Sequence, residues 1–225
     1  MNARRDPRAD EIPTTLTIIV TNAASADSVL DPALHARILE LVEEGRDIFE
    51  RFDLEVRQKG FHPFVAADYD RILRALISVR APGQRFLEWG SATGVITIMA
   101  DMLGFEAYGI ELDPQLVDTA RALAARYGSG ARFAAGSFLP GGYRYRPRDG
   151  DARLGTIGKG DSAYPQLGHP LDDFDVVFGY PWGGEEPMML DLMRAYGSPD
   201  ARLLMQIGSD VHVYRGGRLL TSKAA

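Results

Sequence analysis

Phe86-Leu87-Glu88-Trp89-Gly90-Ser91-Ala92-Thr93-Gly94 runs from a short apolar stretch through a glycine-bearing loop into the start of an amphipathic segment. Glycines at such a loop let the backbone approach a ligand closely, and the first amides of the following helix can hold an anionic group such as a carboxylate or phosphate. Outward from this point the pattern alternates. Strands are predicted at Arg85–Trp89, Ala107–Leu112, Ala131–Ala135, Phe174–Tyr180 and Ala201–Ile207, with helices at Thr93–Leu103, Pro114–Tyr127 and Pro187–Tyr196. Strand and helix in alternation predict an α/β fold, a doubly wound and mostly parallel sheet with helices on both faces. Right-handed crossovers then bring the carboxyl ends of the strands to one edge, where open sheets bind ligands.

The flanks divide the chain further. Residues 1–30 read as a tail carrying one candidate strand, Leu16–Thr21, between Pro13 and Asn22. Residues 31–82 read as a helical cap. Asp31 is placed as an N-cap with Pro32 after it, Leu34, Ile38, Leu41, Val42, Ile48, Phe49 and Phe52 form one apolar stripe, and Gly60 closes the helix. A second helix is predicted over Ala67–Val79. Residues 83–225 form the sheet domain, interrupted at 139–171 by a Gly- and Pro-rich insertion that carries Tyr143, Arg144, Tyr145, Arg146, Arg148 and Arg153. A loop of that length on the ligand edge favours a functional role. After Gly208 only Val211–Arg215 reads as a strand, so the sheet is expected to be shortened at its C-terminal end. An uncovered edge leaves room for a homo-oligomer, through that edge or through the N-terminal helix.

Composition narrows the chemistry. The 225 residues are 45% hydrophobic and 25% charged, and 25 Lys plus Arg against 31 Asp plus Glu give a net charge of −6. Bulk electrostatics therefore disfavour a nucleic-acid partner or an anionic membrane. No cysteine is present, which excludes disulfides, thiolate metal sites and a cysteine nucleophile. His35, His62, His169 and His212 lack metal-ligand spacing, and no metal is expected. No run approaches the ~18 apolar residues of a membrane helix. Arg4 and Arg5 precede the apolar run Leu16–Val20, but Asp6, Asp10 and Glu11 break the basic region, so a cytoplasmic protein is expected.

Glu111 ends the second strand at about the twenty-residue distance at which nucleotide-binding sheets place an acid for the ribose hydroxyls. The G-x-G-x-x-G of nicotinamide and flavin enzymes is absent, because Gly90 and Gly94 stand four apart with Ala92 between them, and no Walker lysine follows. From about Phe61 to Gly208, on the motifs FLEWGSATG, GIELD and FDVVFGYPW, the chain resembles the class I S-adenosylmethionine-dependent methyltransferases, which are Rossmann-like. The resemblance implies S-adenosyl-L-methionine as cofactor. Glu88 and the loop Gly90, Ser91, Ala92, Thr93 and Gly94 would hold its methionine part, Glu111 its ribose, and Leu112 its adenine. Ser137 and Phe138 occupy the stretch that supplies an acid to the adenine amine, with Ser137 in place of the acid. Ala92 stands where a glycine is common. Phe61-His62-Pro63-Phe64-Val65 is similar to a segment that folds over the cofactor in some members.

The acceptor side falls after the fourth strand, where amine-methylating members carry Asn or Asp before Pro-Pro and an aromatic residue. Here the stretch is Gly179-Tyr180-Pro181-Trp182, followed by Gly183, Gly184, Glu185 and Glu186. Tyr180, Pro181, Trp182 and Glu185 are the candidate catalytic residues. The region Gly179–Leu203 is also similar to protein lysine methyltransferases that lack the amide. The implied activity is methyl transfer to a nitrogen acceptor, a protein lysine or a small-molecule amine. Two other classes stay open at this point, a non-catalytic protein that binds the same cofactor and an NAD(P)-dependent oxidoreductase.

Overall fold

The structure, a computed structural model, describes residues 30–60, 62–144 and 160–222. The candidate strand Leu16–Thr21 and Tyr145, Arg146, Arg148 and Arg153 of the insertion lie outside the described residues. Helix α1 spans Pro32–Phe52, and Asp31 caps it by accepting from the amides of Ala33 and Leu34 at 3.0 and 3.2 Å. A π-type turn, Asp53–Arg57, ends it before a strap of irregular chain leads to α2, Tyr69–Val79. The sheet then builds through β1 (Arg85–Trp89), α3 (Val95–Met102), β2 (Glu106–Glu111), α4 (Pro114–Arg126), β3 (Arg132–Ala135), α5 (Tyr164–Leu167), β4 (Val176–Gly179), α6 (Glu186–Tyr196), β5 (Arg202–Ile207), β6 (Asp210–Arg215) and β7 (Arg218–Ser222).

Seven strands form one sheet in the order β3-β2-β1-β4-β5-β6-β7. The first five are parallel, and β6 and β7 add antiparallel. This corrects the expectation of a shortened C-terminal end. The paired glycines Gly216 and Gly217, at φ 55° and 74°, turn the chain so that Arg218–Ser222 returns along β6. At the opposite edge the end of the insertion comes back beside β3, where Ser137 and Ser162 make a parallel bridge.

Side chains alternate across the sheet as strand geometry requires. Phe86 packs with Val176, Phe178 and Leu204 under α1 to α4. Leu87 and Trp89 pack on the other face with Tyr108, Phe174, Val177, Met189 and Leu192. Glu88, in register with Phe86, is therefore delivered into the helical layer that holds α1, α2 and α3. The two helices read as a cap share that layer with β1 and α3. The topology reverses between β1 and β4, the position at which ligands bind open α/β sheets.

Candidate functional site

At this switch point lies a cavity of about 400 Å³, within the size range of small-molecule sites. Four parts of the chain meet there: the strap His62–Val65, the loop after β1, the ends of β2 and β3, and the segment Tyr180–Gly183 after β4. The strap reaches across the opening and is tied at both ends. His62 Nδ1 accepts the Phe64 amide at 3.1 Å, which turns Nε2 toward Asp113 Oδ2 at 3.3 Å. Farther along, the Asp68 amide donates to Gln206 Oε1 at 3.0 Å. Phe64 anchors the middle by packing edge-on against Phe49 and Phe52.

Glu111 stands on the cavity wall. Its Oε2 accepts the Ala92 amide at 2.8 Å and its Oε1 the Asp113 amide at 3.0 Å, so the carboxylate joins the loop after β1 to the start of α4. The Leu112 amide also favours the charged carboxylate, and with about four acceptor sites in all the group keeps room for a further donor. Burial pushes its carboxyl above the usual carboxylate range, against the backbone hydrogen bonds that favour the charge. Ala92, between Gly90 and Gly94, sits at φ 43°, the left-handed region that L side chains disfavour.

Of the residues expected from the sequence, Gly90, Ala92, Glu111, Leu112, Phe138, Tyr180, Pro181 and Trp182 line this cavity. Glu88, Ser91 and Thr93 instead line an adjoining annex of about 40 Å³ that shares Phe64, Val65, Gly90, Ala92 and Tyr180 with it. Gly94 is packed beneath Phe133 and Ala120, and its position builds the loop. Ser137 does not line the cavity. Its amide donates to the Asp161 carbonyl and its hydroxyl accepts the Leu139 amide, so it fastens the insertion to β3. Glu185 is likewise off the wall, buried at the start of α6 with its Oε2 accepting the Trp182 amide at 3.0 Å. It holds the segment that carries Tyr180, Pro181 and Trp182.

The packing behind the wall is not readable from the sequence, where Trp89 stands within the loop motif without a role of its own. Trp89 stacks on Phe138 with centroids 5.2 Å apart and donates its Nε1–H to Tyr164 Oη at 3.0 Å. Beneath Gly179, the space that an amide side chain would occupy is filled: a Cβ there would lie 2.8 Å from Met189 Sδ and 3.5 Å from Trp89 Cε3. The missing amide is thus built into the packing of β4 against α6. Among the described residues, no group of three or more His, Cys, Asp or Glu side chains is placed to hold a metal ion.

No family model matches the sequence. A stretch of 65 residues is 40% identical to the ribosomal protein L11 methyltransferase of Thermus thermophilus, and it covers 29% of this chain and 26% of that protein. The chain therefore spans about a quarter of the length of the curated relative it matches. The fold is a Rossmann-like α/β sheet, mostly parallel and of seven strands, and over the matched 65 residues the chain is similar to a methyltransferase. Solved structures similar to this fold include an RNA methyltransferase from Salinibacter ruber in complex with S-adenosyl-L-homocysteine, at a TM-score of 0.43 and 17% identity, covering 63% of this chain and 76% of that one. Another is a SAM-dependent methyltransferase from Thiobacillus denitrificans in complex with the same ligand, at 0.42 and 19%, covering 70% and 54%. A precorrin-6Y C5,15-methyltransferase from Geobacter metallireducens matches at 0.42 and 14%, covering 63% and 66%. At these identities the likeness concerns the fold alone.

Proposed function

We propose that this chain is a cytoplasmic S-adenosylmethionine-dependent methyltransferase whose acceptor is a nitrogen, either a protein lysine or a small-molecule amine. The observation that carries the reading is Glu111, a cavity-lining carboxylate braced by backbone amides at the end of β2, with room left to accept from the ribose. The remaining surfaces fit the rest of such a cofactor. Leu112, Leu116 and Phe138 offer an apolar bed for a base, and on the annex wall the Ser91 hydroxyl is buried without a hydrogen-bond partner among the described residues. Bound there, the cofactor would supply an electrophilic methyl group on a sulfonium.

What the chain itself contributes is position and dryness. Tyr180, Pro181 and Trp182 would shape the slot in which an amine meets that methyl group, and the strap would exclude water. With the space below Gly179 filled by Met189, backbone carbonyls of this segment would take the place of the amide in accepting hydrogens from a nucleophile. The described residues lining the cavity include Glu111, Asp113 and His62 but no Lys or Arg. That charge pattern supports an amine over a phosphate-bearing acceptor.

The test is to incubate the protein with methyl-labelled cofactor and, separately, a protein extract, RNA and a panel of small amines. Label should enter protein or an amine. Label in RNA alone would contradict the protein-lysine or small-amine acceptor proposed here, and cofactor binding without transfer to any acceptor would favour the non-catalytic alternative.

A further inference from the structure

The annex beside the main cavity is lined by Glu88, Ser91, Thr93, Tyr69 and Tyr180, and it has room for about one water-sized polar group. Glu88 is 3% exposed. Its Oε2 takes both the amide and the hydroxyl of Thr97 in the first turn of α3, a helix whose own N-cap, Gly94, offers no side chain. Glu88 thus serves as a cap delivered from the neighbouring strand. No salt bridge to Glu88 exists among the described residues.

The groups around it supply no compensating charge. From α2 comes the buried Tyr69, whose hydroxyl is pushed to a higher pKa first by its own burial and then by Glu88. From β2 comes Glu111, a second carboxylate that disfavours ionisation of the first. From α3 come the Thr97 donors, and from the loop the uncharged Ser91 and Thr93. On α1, Arg46 is felt by Tyr69 and lies 3.9 Å from Asp70, with half of its side chain exposed.

We infer that Glu88 is a neutral acid in the free protein and ionises when an ammonium group enters the annex, so that each ligand bearing one displaces a proton to solvent. This rests on the reading of the cavity as a cofactor site, since the amino-acid end of the cofactor carries such an ammonium. Burial is what holds the free carboxyl neutral, pushing it up to about 8 against the Thr97 hydrogen bonds. An ammonium within hydrogen-bond reach reverses that balance, because an opposite charge in a water-poor site favours the ionised form. The covalent inventory is simple: the carboxyl O–H breaks, its proton goes to buffer, and the carboxylate pairs with the ammonium. The affinity of any ammonium-bearing ligand then becomes pH-dependent. It falls roughly tenfold for each pH unit below about 8, until the carboxyl also holds its proton in the complex.

The test is calorimetric titration at pH 7 in phosphate and in Tris, buffers of different ionisation enthalpy, which counts the protons exchanged. S-adenosyl-L-homocysteine should release about one proton as it binds. 5′-Deoxy-5′-methylthioadenosine, which keeps the base, ribose and sulfur but has no ammonium, should bind with none. Glu88→Gln, which can still accept from Thr97, should bind S-adenosyl-L-homocysteine without proton release. Binding of S-adenosyl-L-homocysteine with no proton release overturns the inference, as does equal release with the methylthio ligand or with Glu88→Gln. The comparison of the two ligands on the wild-type chain stands even if the variant does not fold. Failure of both ligands to bind would instead remove the cofactor reading on which the inference rests.

Discussion

Glu111 and Glu88 face the same region with different surroundings, and their substitutions should separate accordingly. Glu111→Ala removes charge-assisted hydrogen bonds worth about 1.5–3 kcal/mol each, so cofactor affinity should fall at least tenfold by calorimetry while the circular dichroism spectrum is kept. Unchanged affinity would place the ribose elsewhere. Glu88 acts on stability as well. Its folded-state pKa of about 8 exceeds the ordinary 4.5 because burial favours the neutral form. The stabilisation from holding that proton is complete below about pH 4.5 and is lost as pH rises to about 8. Glu88→Gln should therefore gain on wild type across that window, by on the order of a few kcal/mol, in denaturation midpoints of the unliganded protein. A difference that does not change with pH would contradict this. Ala92 offers a third check. A left-handed alanine costs about 1–2 kcal/mol, of which glycine returns about 0.5–1 kcal/mol through its greater chain entropy. Ala92→Gly should accordingly stabilise the free protein by up to about 1 kcal/mol, and a lowered midpoint would refute the strain.

At the scale of elements, the segment between β4 and α6 should control transfer rather than cofactor binding. Trp182→Ala is expected to lower the transfer rate on the order of 100-fold by misplacing the acceptor, with cofactor affinity nearly unchanged. Trp182 is only partly buried, so its truncation should cost less than the about 3–5 kcal/mol of a fully buried tryptophan, and a melting curve must accompany the assay. A variant that melts, binds and transfers as wild type does would remove Trp182 from the acceptor slot. The elements themselves were mostly legible in the sequence. The strands and helices of the alternating region fall within two residues of their predicted bounds because burial imposes the periods that were read. The last strand was not. Arg218–Ser222 is an edge strand with Leu219 and Leu220 both about half exposed, so no alternation marks it. Glu111 could be found from its spacing to the loop. The contact of Met189 and Trp89 under Gly179 could not, since it joins α6, β1 and β4, which are distant in sequence.

For the molecule as a whole, the reversal of strand order between β1 and β4 creates the cavity, and the strap tied to Asp113 and Gln206 roofs it. The two edges of the sheet are finished differently: the returning insertion bridges to Ser137 just past the end of β3, whereas β7 is the outermost strand of the described sheet. Among the described residues, no helix is long and apolar enough to cross a membrane. The proposed occupant of this roofed cavity is S-adenosylmethionine. A ligand present at 100 times its dissociation constant stabilises a fold by about 2.7 kcal/mol, so the most direct measurement is the melting temperature of the purified chain with S-adenosylmethionine, S-adenosyl-L-homocysteine, NAD and NADP, each added separately. The two sulfur nucleosides are expected to raise it and the two dinucleotides to leave it unchanged. A rise with NAD or NADP, and none with either sulfur nucleoside, would contradict this assignment.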